Sequence, residues 1–444
     1  MTASEECHVD RIPLSRSQQN IYHGVLQDND PTLYLIGKSY RFHQREVSGF
    51  LAALESTVLK NPVLLCVLEA PLTGDDHPDL VPRLEFGDIV RVQSDDEAVT
   101  ARSGDELSRT WSSGILAKPL VRYTVRTDES GSMSGLDVHA HHILLDGGGI
   151  GIIEADLARH LAAGGATEIP CVSQVLTKLT EAHRVETTRV EESLPRLADV
   201  VQRELSDEAH ARGRGQGVND APATEARGIL HGSVMISGKA YDTIVALSEV
   251  KQVPLNVLVA AAAVAVHTSL RQSTECLLVD VVANRFADPD LNVATCLVNS
   301  VAYPVRFPPS ASVQDVVRTL DRGYVKAARR RWLREEEYRR MYLAINSTLD
   351  IEGVLTLNFI REPCAPGLRP FLSEAPVVTD IGPVVDMTVA CVVNEHQRTL
   401  NLNIWNRADL PENKKHPRVA ERIAATLELM AARWDEPMAM TVGE

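Results

Sequence analysis

The sequence has no apolar run long enough to cross a bilayer: its most hydrophobic stretch, Val257 to Val266, falls well short of the roughly 20 residues a spanning helix needs and reads as a buried helix. No membrane association is expected. It also lacks a surplus of positive charge. The formal net charge is −15, so the broad basic surface that displaces phosphate counterions is missing and no nucleic-acid partner is expected. The seven cysteines are scattered, without the paired short spacings of zinc or disulfide frameworks, and are read as reduced thiols in a cytoplasmic protein. Met1 to Cys7 is polar and acidic, lacking the basic start and apolar core of a secretion signal. No short repeat is visible, which excludes a solenoid.

What is present is an alternation of strand and helix patterns in 444 residues, enough for two large subdomains. Ser15 with Gln18 three residues on has capping-box spacing and predicts a helix start. Tyr34 to Phe42 reads as a strand and Val47 to Leu59 as a helix. Val121 to Val125 and Leu136 to His142 are expected to be adjacent strands joined by the turn Asp128-Glu129-Ser130-Gly131. Gly147-Gly148-Gly149 reads as a flexible turn, leading into a helix that carries Ile152, Ile153, Leu157 and Leu161. Leu194 to Leu205 looks helical, and residues 206–228 look like an exposed linker. Beyond it, Ile229 to Ile236 and Leu277 to Val282 read as strands, Leu255 to Leu270 as a helix, and Val313 onward as a helix running into the charged stretch Lys326 to Arg340. A hairpin is expected around Asn394-Glu395-His396-Gln397, and a final helix carries Val419, Ile423, Leu427 and Met430.

The stretch His141-His142-Ile143-Leu144-Leu145-Asp146-Gly147 ends a strand and opens a helix, a place suited to a general base. Three readings compete. His139 and His141 share one face of an extended strand while His142 points to the other, so His-x-His with Asp146 is a possible zinc set, but no third protein ligand has a supporting spacing. From the histidines alone, the leading account is that all three are ordinary strand residues near a rim. The compound pattern of adjacent histidines, a three-residue spacer, Asp-Gly and a helix favours catalysis. Ser15 is better explained as a cap than as a nucleophile, and Cys296 as a packed thiol.

This pattern resembles the HHxxxDG signature of the condensation domains of nonribosomal peptide synthetases and of the wider chloramphenicol-acetyltransferase-like superfamily. Leu14-Ser15-x-x-Gln18, Pro119-Leu120-Val121-Arg122, Val281-Val282-Ala283-Asn284-Arg285, Cys296-Leu297-Val298-Asn299-Ser300 and Asp386-Met387-Thr388-Val389 match in the same order along nearly the whole chain. The Asp-Phe-Gly-Trp-Gly element of other acyltransferase branches is absent, since Asp380-Ile381-Gly382-Pro383 does not reproduce it. Cys296 to Asn299 fits condensation better than epimerisation, and the intact histidines disfavour cyclisation.

The resemblance implies an α/β fold of two chloramphenicol-acetyltransferase-like subdomains, mixed sheets flanked by helices, arranged as a V-shaped pseudo-dimer with a tunnel at the junction. The subdomains are expected at 1–178 and 179–444, with a linker about 205–228. It implies His142 as the catalytic histidine with His141 beside it, Asp146 as structural support through an ion pair with an arginine from the other half, for which Arg285 is the candidate, and Gly147 as a point of close backbone approach. Gly148-Gly149 would leave more room or a looser turn than a bulky residue there. Asn299 and Trp405 are candidate tunnel-lining residues. No metal and no cofactor bound by the chain is expected. The implied activity is that of a freestanding condensation enzyme, because no adenylation or carrier module fits in the remaining sequence. It would join an acyl or aminoacyl group, held as a phosphopantetheine thioester on an acyl or peptidyl carrier protein, to a small-molecule amine or alcohol. An acyl-CoA-dependent acyltransferase and a non-catalytic recruitment module are the alternatives. Lys326, Arg329, Arg330, Arg331 and Arg334 form the one dense basic cluster, which would either dock an acidic carrier or be a solvated helix laced by Glu335, Glu336 and Glu337.

Overall fold

Local chemistry sets the first elements of the computed structural model, which describes residues 11–71, 77–95, 103–164, 171–212, 229–285, 288–346, 353–408 and 418–442. After the short strand β1 (Ile12–Pro13), Ser15 and Gln18 form the expected capping box on helix α1 (Arg16–Asp28). Strand β2 (Leu35–Arg45) and helix α2 (Val47–Lys60) follow as read, then β3 (Cys66–Glu69), β4 (Asp79–Pro82), the one-turn α3 (Phe86–Ile89), β5 (Val90–Ser94) and α4 (Ser103–Thr110). Strands β6 (Val121–Thr127) and β7 (Met133–His141) pair antiparallel. Helix α5 (Gly147–Ala162) starts on the first glycine, so Gly147-Gly148-Gly149 is its first turn and not a flexible loop. Asp146, whose side chain accepts from the Gly149 amide, is its cap.

Helix α6 (Val172–Arg212) is far longer than the helical stretch read from Leu194; it continues through Pro195, a residue that ordinarily interrupts a helix. The expected linker lies mostly outside the described residues, and its first part belongs to α6. Then come β8 (Ile229–Ser237), α7 (Gly238–Lys251), α8 (Leu255–Arg271), β9 (Glu275–Ala283), β10 (Val298–Arg306), α9 (Val313–Ala328), α10 (Glu335–Asn346), β11 (Val354–Ile360), β12 (Val377–Ile381), β13 (Met387–Asn394), β14 (Thr399–Arg407) and α11 (Val419–Ala432). The helix expected to run from Val313 through the charged stretch is therefore two, parted by a turn over residues 329–334. That turn also breaks up the basic cluster. Arg330 is buried, donating to the Ala302 carbonyl and pairing with Glu204, and Arg334 is buried beside Glu336, which leaves no continuous basic helix face.

The chain divides into two compact units, neither of them continuous in sequence. One comprises residues 1–190, 283–298 and 363–383; the other comprises 191–282, 299–362 and 384–444. Residue 178 lies within α6. The first unit holds a five-stranded sheet in the order β12-β2-β7-β6-β5, antiparallel except for the parallel pair β5 and β6, and a small sheet β1-β4-β3. Strand β7 is central, and α5 packs against α2. The second unit holds a six-stranded sheet, β10-β9-β11-β13-β14-β8, in which β9, β11 and β13 run parallel and β13, β14 and β8 antiparallel. No single described helix is long and apolar enough to cross a membrane.

Helix α8 explains its own composition. Its run Ala260 to Ala263 is wholly buried, packed against α9, α11 and strands β11 and β13. Small side chains let those elements approach closely, so a larger residue has nowhere to go. Ala261→Leu is expected to destabilise the protein by about 1–3 kcal/mol, read as a lower denaturation midpoint with unchanged slope.

Candidate active site

The histidine pair is positioned by the sheet. His141 is the last residue of β7, opposite Leu35 of β2, and its amide donates to the Leu120 carbonyl at 2.7 Å. The amide of His142 donates to the Tyr34 carbonyl at 2.8 Å, and the chain then turns through Ile143 and Leu144. Both backbones are held, yet the side chains part company. His141 is 0% exposed, stacked on Tyr34 and edge-on to Trp111. Its Nδ1 accepts the Ile143 amide at 3.1 Å, which bridges the turn. Burial, with the neighbouring His142 adding to it and the Pro31 carbonyl opposing, pushes the His141 imidazole down to about 3, so it is neutral at physiological pH.

His142 is only half-buried. Its Nδ1 lies 3.0 Å from the Leu145 carbonyl, which can only accept, so Nδ1 carries a hydrogen and in the neutral ring the lone pair is on Nε2. The Sγ of the buried Cys296 lies 3.8 Å from the same Nδ1. On another side is Gly382, with φ +87° and room for no Cβ, since one would stand 2.9 Å from the His142 Cδ2. Nothing in the sequence pattern marked Gly382; only the pairing of β12 with β2 brings it there.

Asp146 is 3% exposed. Burial by itself would raise its carboxyl, but the Arg285 guanidinium and the amides of Gly149 and Leu297 outweigh it and hold the group below the usual carboxylate range. The Arg285 Nη1 lies 2.8 Å from each carboxylate oxygen, Gly149 N is 2.7 Å from Oδ1 and Leu297 N is 2.8 Å from Oδ2. Arg285 also donates to the carbonyls of Thr295 and Val293. Although it lies in the second half of the sequence, it belongs with the first unit, to which residues 283–298 return.

The glycines are tight, not loose. A Cβ on Gly148 would stand 2.7 Å from the Arg285 Nη1, and one on Gly149 2.7 Å from the Thr295 carbonyl oxygen, whereas one on Gly147 meets nothing. Two of the three glycines are therefore demanded by the approach of Arg285 and Thr295 to the start of α5. The N-terminal match has a similar explanation. Gln18 donates to the Ile143 carbonyl at 2.8 Å, and the Ser15 hydroxyl donates to the Cys296 carbonyl at 3.1 Å. Sequence reasoning missed Thr295 and His183, whose side chains meet at 2.9 Å in this support.

The other candidates have neighbours of their own. The His139 Nε2 is 3.7 Å from an Asp380 oxygen, so His139 and His141 share a strand face but not a neighbour set. Among the described residues no three His, Cys, Asp or Glu side chains gather as metal ligands. Asn299 and Trp405 belong to the second unit. Asn299 is buried and donates to the carbonyls of Arg331 and Leu333; Trp405 is buried in β14 and stacks, tilted, on His231.

Two outcomes follow from this geometry. Gly149→Ala should cost roughly 1–3 kcal/mol through its clash with backbone, while Gly147→Ala should leave the denaturation midpoint nearly unchanged. The buried histidines give a pH dependence. His183 is pushed by burial from 6.5 down to about 4, and His141 lower still. Below pH 6.5 the unfolded chain binds protons that the native state refuses, so stability is full above that pH and falls as pH drops toward 4. Urea titrations should show this slope, and His183→Gln should make it shallower.

No protein-family model matches the sequence. Among curated proteins the chain is 68% identical over 434 residues to "Isonitrile lipopeptide synthase" of Mycobacterium tuberculosis (strain ATCC 25618 / H37Rv), covering 98% of the chain and 17% of that protein. It is 62% identical over 448 residues to the protein of the same name from Mycobacterium marinum (strain ATCC BAA-535 / M), covering 100% of the chain and 32% of that protein. It thus spans a third or less of these relatives' length. Among solved structures, the first condensation domain of the calcium-dependent antibiotic synthetase superposes with TM-score 0.72 at 16% identity, covering 98% of this chain and 100% of that one. The condensation domain of the Monacolin K polyketide synthase MokA superposes with TM-score 0.73 at 13% identity, covering 97% and 99%. The starter condensation domain of rhizomide synthetase RzmA gives 0.70 at 15%, covering 97% of each. The chain has the condensation-domain fold, and along nearly all its length it is similar to a segment of mycobacterial isonitrile lipopeptide synthases.

Proposed function

We propose that this chain catalyses condensation: attack of an amine on an acyl thioester to give an amide, with a lipid-like acyl group as donor. The observation that carries this reading is the contact of the His142 Nδ1 with the Leu145 carbonyl, which in the neutral ring leaves Nε2 as the acceptor on a half-buried side chain just ahead of α5. The names of the relatives supply the product class, a lipopeptide. Structures of the rhizomide starter domain hold C8-CoA and Leu-SNAC, an acyl thioester and an aminoacyl thioester, in this fold.

In this mechanism the amine nitrogen forms a bond to the thioester carbonyl carbon while Nε2 of His142 takes the amine proton. As the tetrahedral intermediate collapses, the carbon–sulfur bond breaks and the proton passes to the departing thiolate. Oxyanion charge develops near the first amides of α5, Gly147 and Gly148, where the helix dipole is favourable. The phosphopantetheine arm belongs to a carrier partner and supplies the thioester. Asp146 touches no substrate; it holds the turn. His141, wholly interior, serves the same end.

The test follows product by mass spectrometry from an acyl-loaded carrier and an amino acid. His142→Ala is expected to lower turnover by about 10²–10⁴-fold without loss of fold. Undiminished turnover in the folded variant removes His142 from the chemistry. Turnover with acyl-CoA that matches turnover with the loaded carrier removes the carrier requirement.

A further inference from the structure

We propose that His183 is a positioning residue for His142, acting through the Thr295 hydroxyl on residues 295–297. The kinetic part of this rests on the condensation reading; the structural part does not.

His183 projects from α6 and is 2% exposed, its side chain occupied at both nitrogens. Nδ1 lies 2.8 Å from the Pro13 carbonyl, which only accepts, so Nδ1 carries the hydrogen. Nε2 is then an acceptor, and the Thr295 hydroxyl 2.9 Å away must be the donor. With its hydrogen so directed, Thr295 Oγ1 can accept, and the Gln18 Nε2 points at it from 3.4 Å while donating to the Ile143 carbonyl. One proton arrangement satisfies the whole relay. Burial, which keeps His183 neutral well below pH 7, maintains it.

What the relay holds is unusually committed. In residues 295–297, the Thr295 carbonyl accepts from Arg285 and abuts Gly149, and the Cys296 carbonyl accepts from Ser15. Cys296 Sγ lies against the His142 ring, and the Leu297 amide donates to Asp146. A shift of this clip moves the wall of the His142 ring and the anchor of its turn together. At the other end, Gln18 holds Ile143, next to His142. His183 thus touches no reacting group, yet its loss loosens both ends. Displacements of about 1 Å in such supports cost on the order of 10²-fold in rate.

The test compares His183→Leu, Thr295→Val, their double variant, and His183→Gln, which retains an acceptor in reach of Thr295. The readouts are condensation kinetics and the rate at which diethyl pyrocarbonate modifies His142, mapped by mass spectrometry. The two disrupting variants should lower kcat by about 10–100-fold with KM changed less than about threefold. The double variant should be no worse than the poorer single one, His183→Gln should recover most of the loss, and the His142 modification rate should shift in parallel. Additive losses, or wild-type kcat and modification rate in folded His183→Leu, overturn the proposal. Should His183→Leu not fold, the near-isosteric Thr295→Val decides by the same readouts. If the wild-type protein condenses nothing, the condensation reading fails, and the modification rates alone decide: equal rates in every variant overturn the positioning role.

Discussion

The neutralised carboxylate of Asp146 is the constraint from which the rest of the site follows. Burying an ionised carboxylate costs several kcal/mol unless its oxygens are fully met, and here both are. Arg285 reaches the two oxygens with one nitrogen, and two backbone amides take the remaining directions. Each partner comes from a different place: the turn after β9, the first turn of α5, and the segment leading into β10. One side chain therefore caps a helix and joins two stretches of chain far apart in sequence. Removing its charge would leave Arg285 buried without a counterion, so the arrangement is all or none.

Around that anchor the two adjacent histidines differ by burial. They are the same residue type one peptide apart, but the end of β7 turns one ring inward and lets the other out. The inward ring lies among Tyr34 and Trp111, where charge is unfavourable, and its one lone pair stabilises the turn. The outward ring is oriented by the Leu145 carbonyl through its Nδ1. Neither role belongs to histidine as such; each is a consequence of which face the strand end presents.

The capping box at Ser15 and Gln18, the strands β6 and β7, the buried helix α8 and the β13–β14 hairpin were readable because they depend on neighbours in sequence: cap spacing, period-two alternation, an apolar run and a turn. The condensation-domain fold was readable from the order of the motifs, and the superpositions bear out the fold. The glycine turn was misread. Three glycines in sequence signal flexibility, and only the Arg285 guanidinium and the Thr295 carbonyl lying where side chains would be reveal that Gly148 and Gly149 are close-packed. The basic cluster was misread for the same kind of reason, since local composition does not report that Arg330 and Arg334 turn inward.

The sequence by itself determined those elements that rest on local spacing, the ordered motifs and the placing of a histidine and an aspartate on either side of one tight turn. Only the tertiary structure decided which histidine is solvent-facing, which tautomer it holds, that Gly382, Thr295 and His183 belong to the site, and that Arg285 returns to the unit of the motif. Apart from the tautomer, which the Leu145 carbonyl three residues on selects, those depend on contacts between residues about a hundred or more positions apart, and such contacts leave no periodic trace in the chain that makes them.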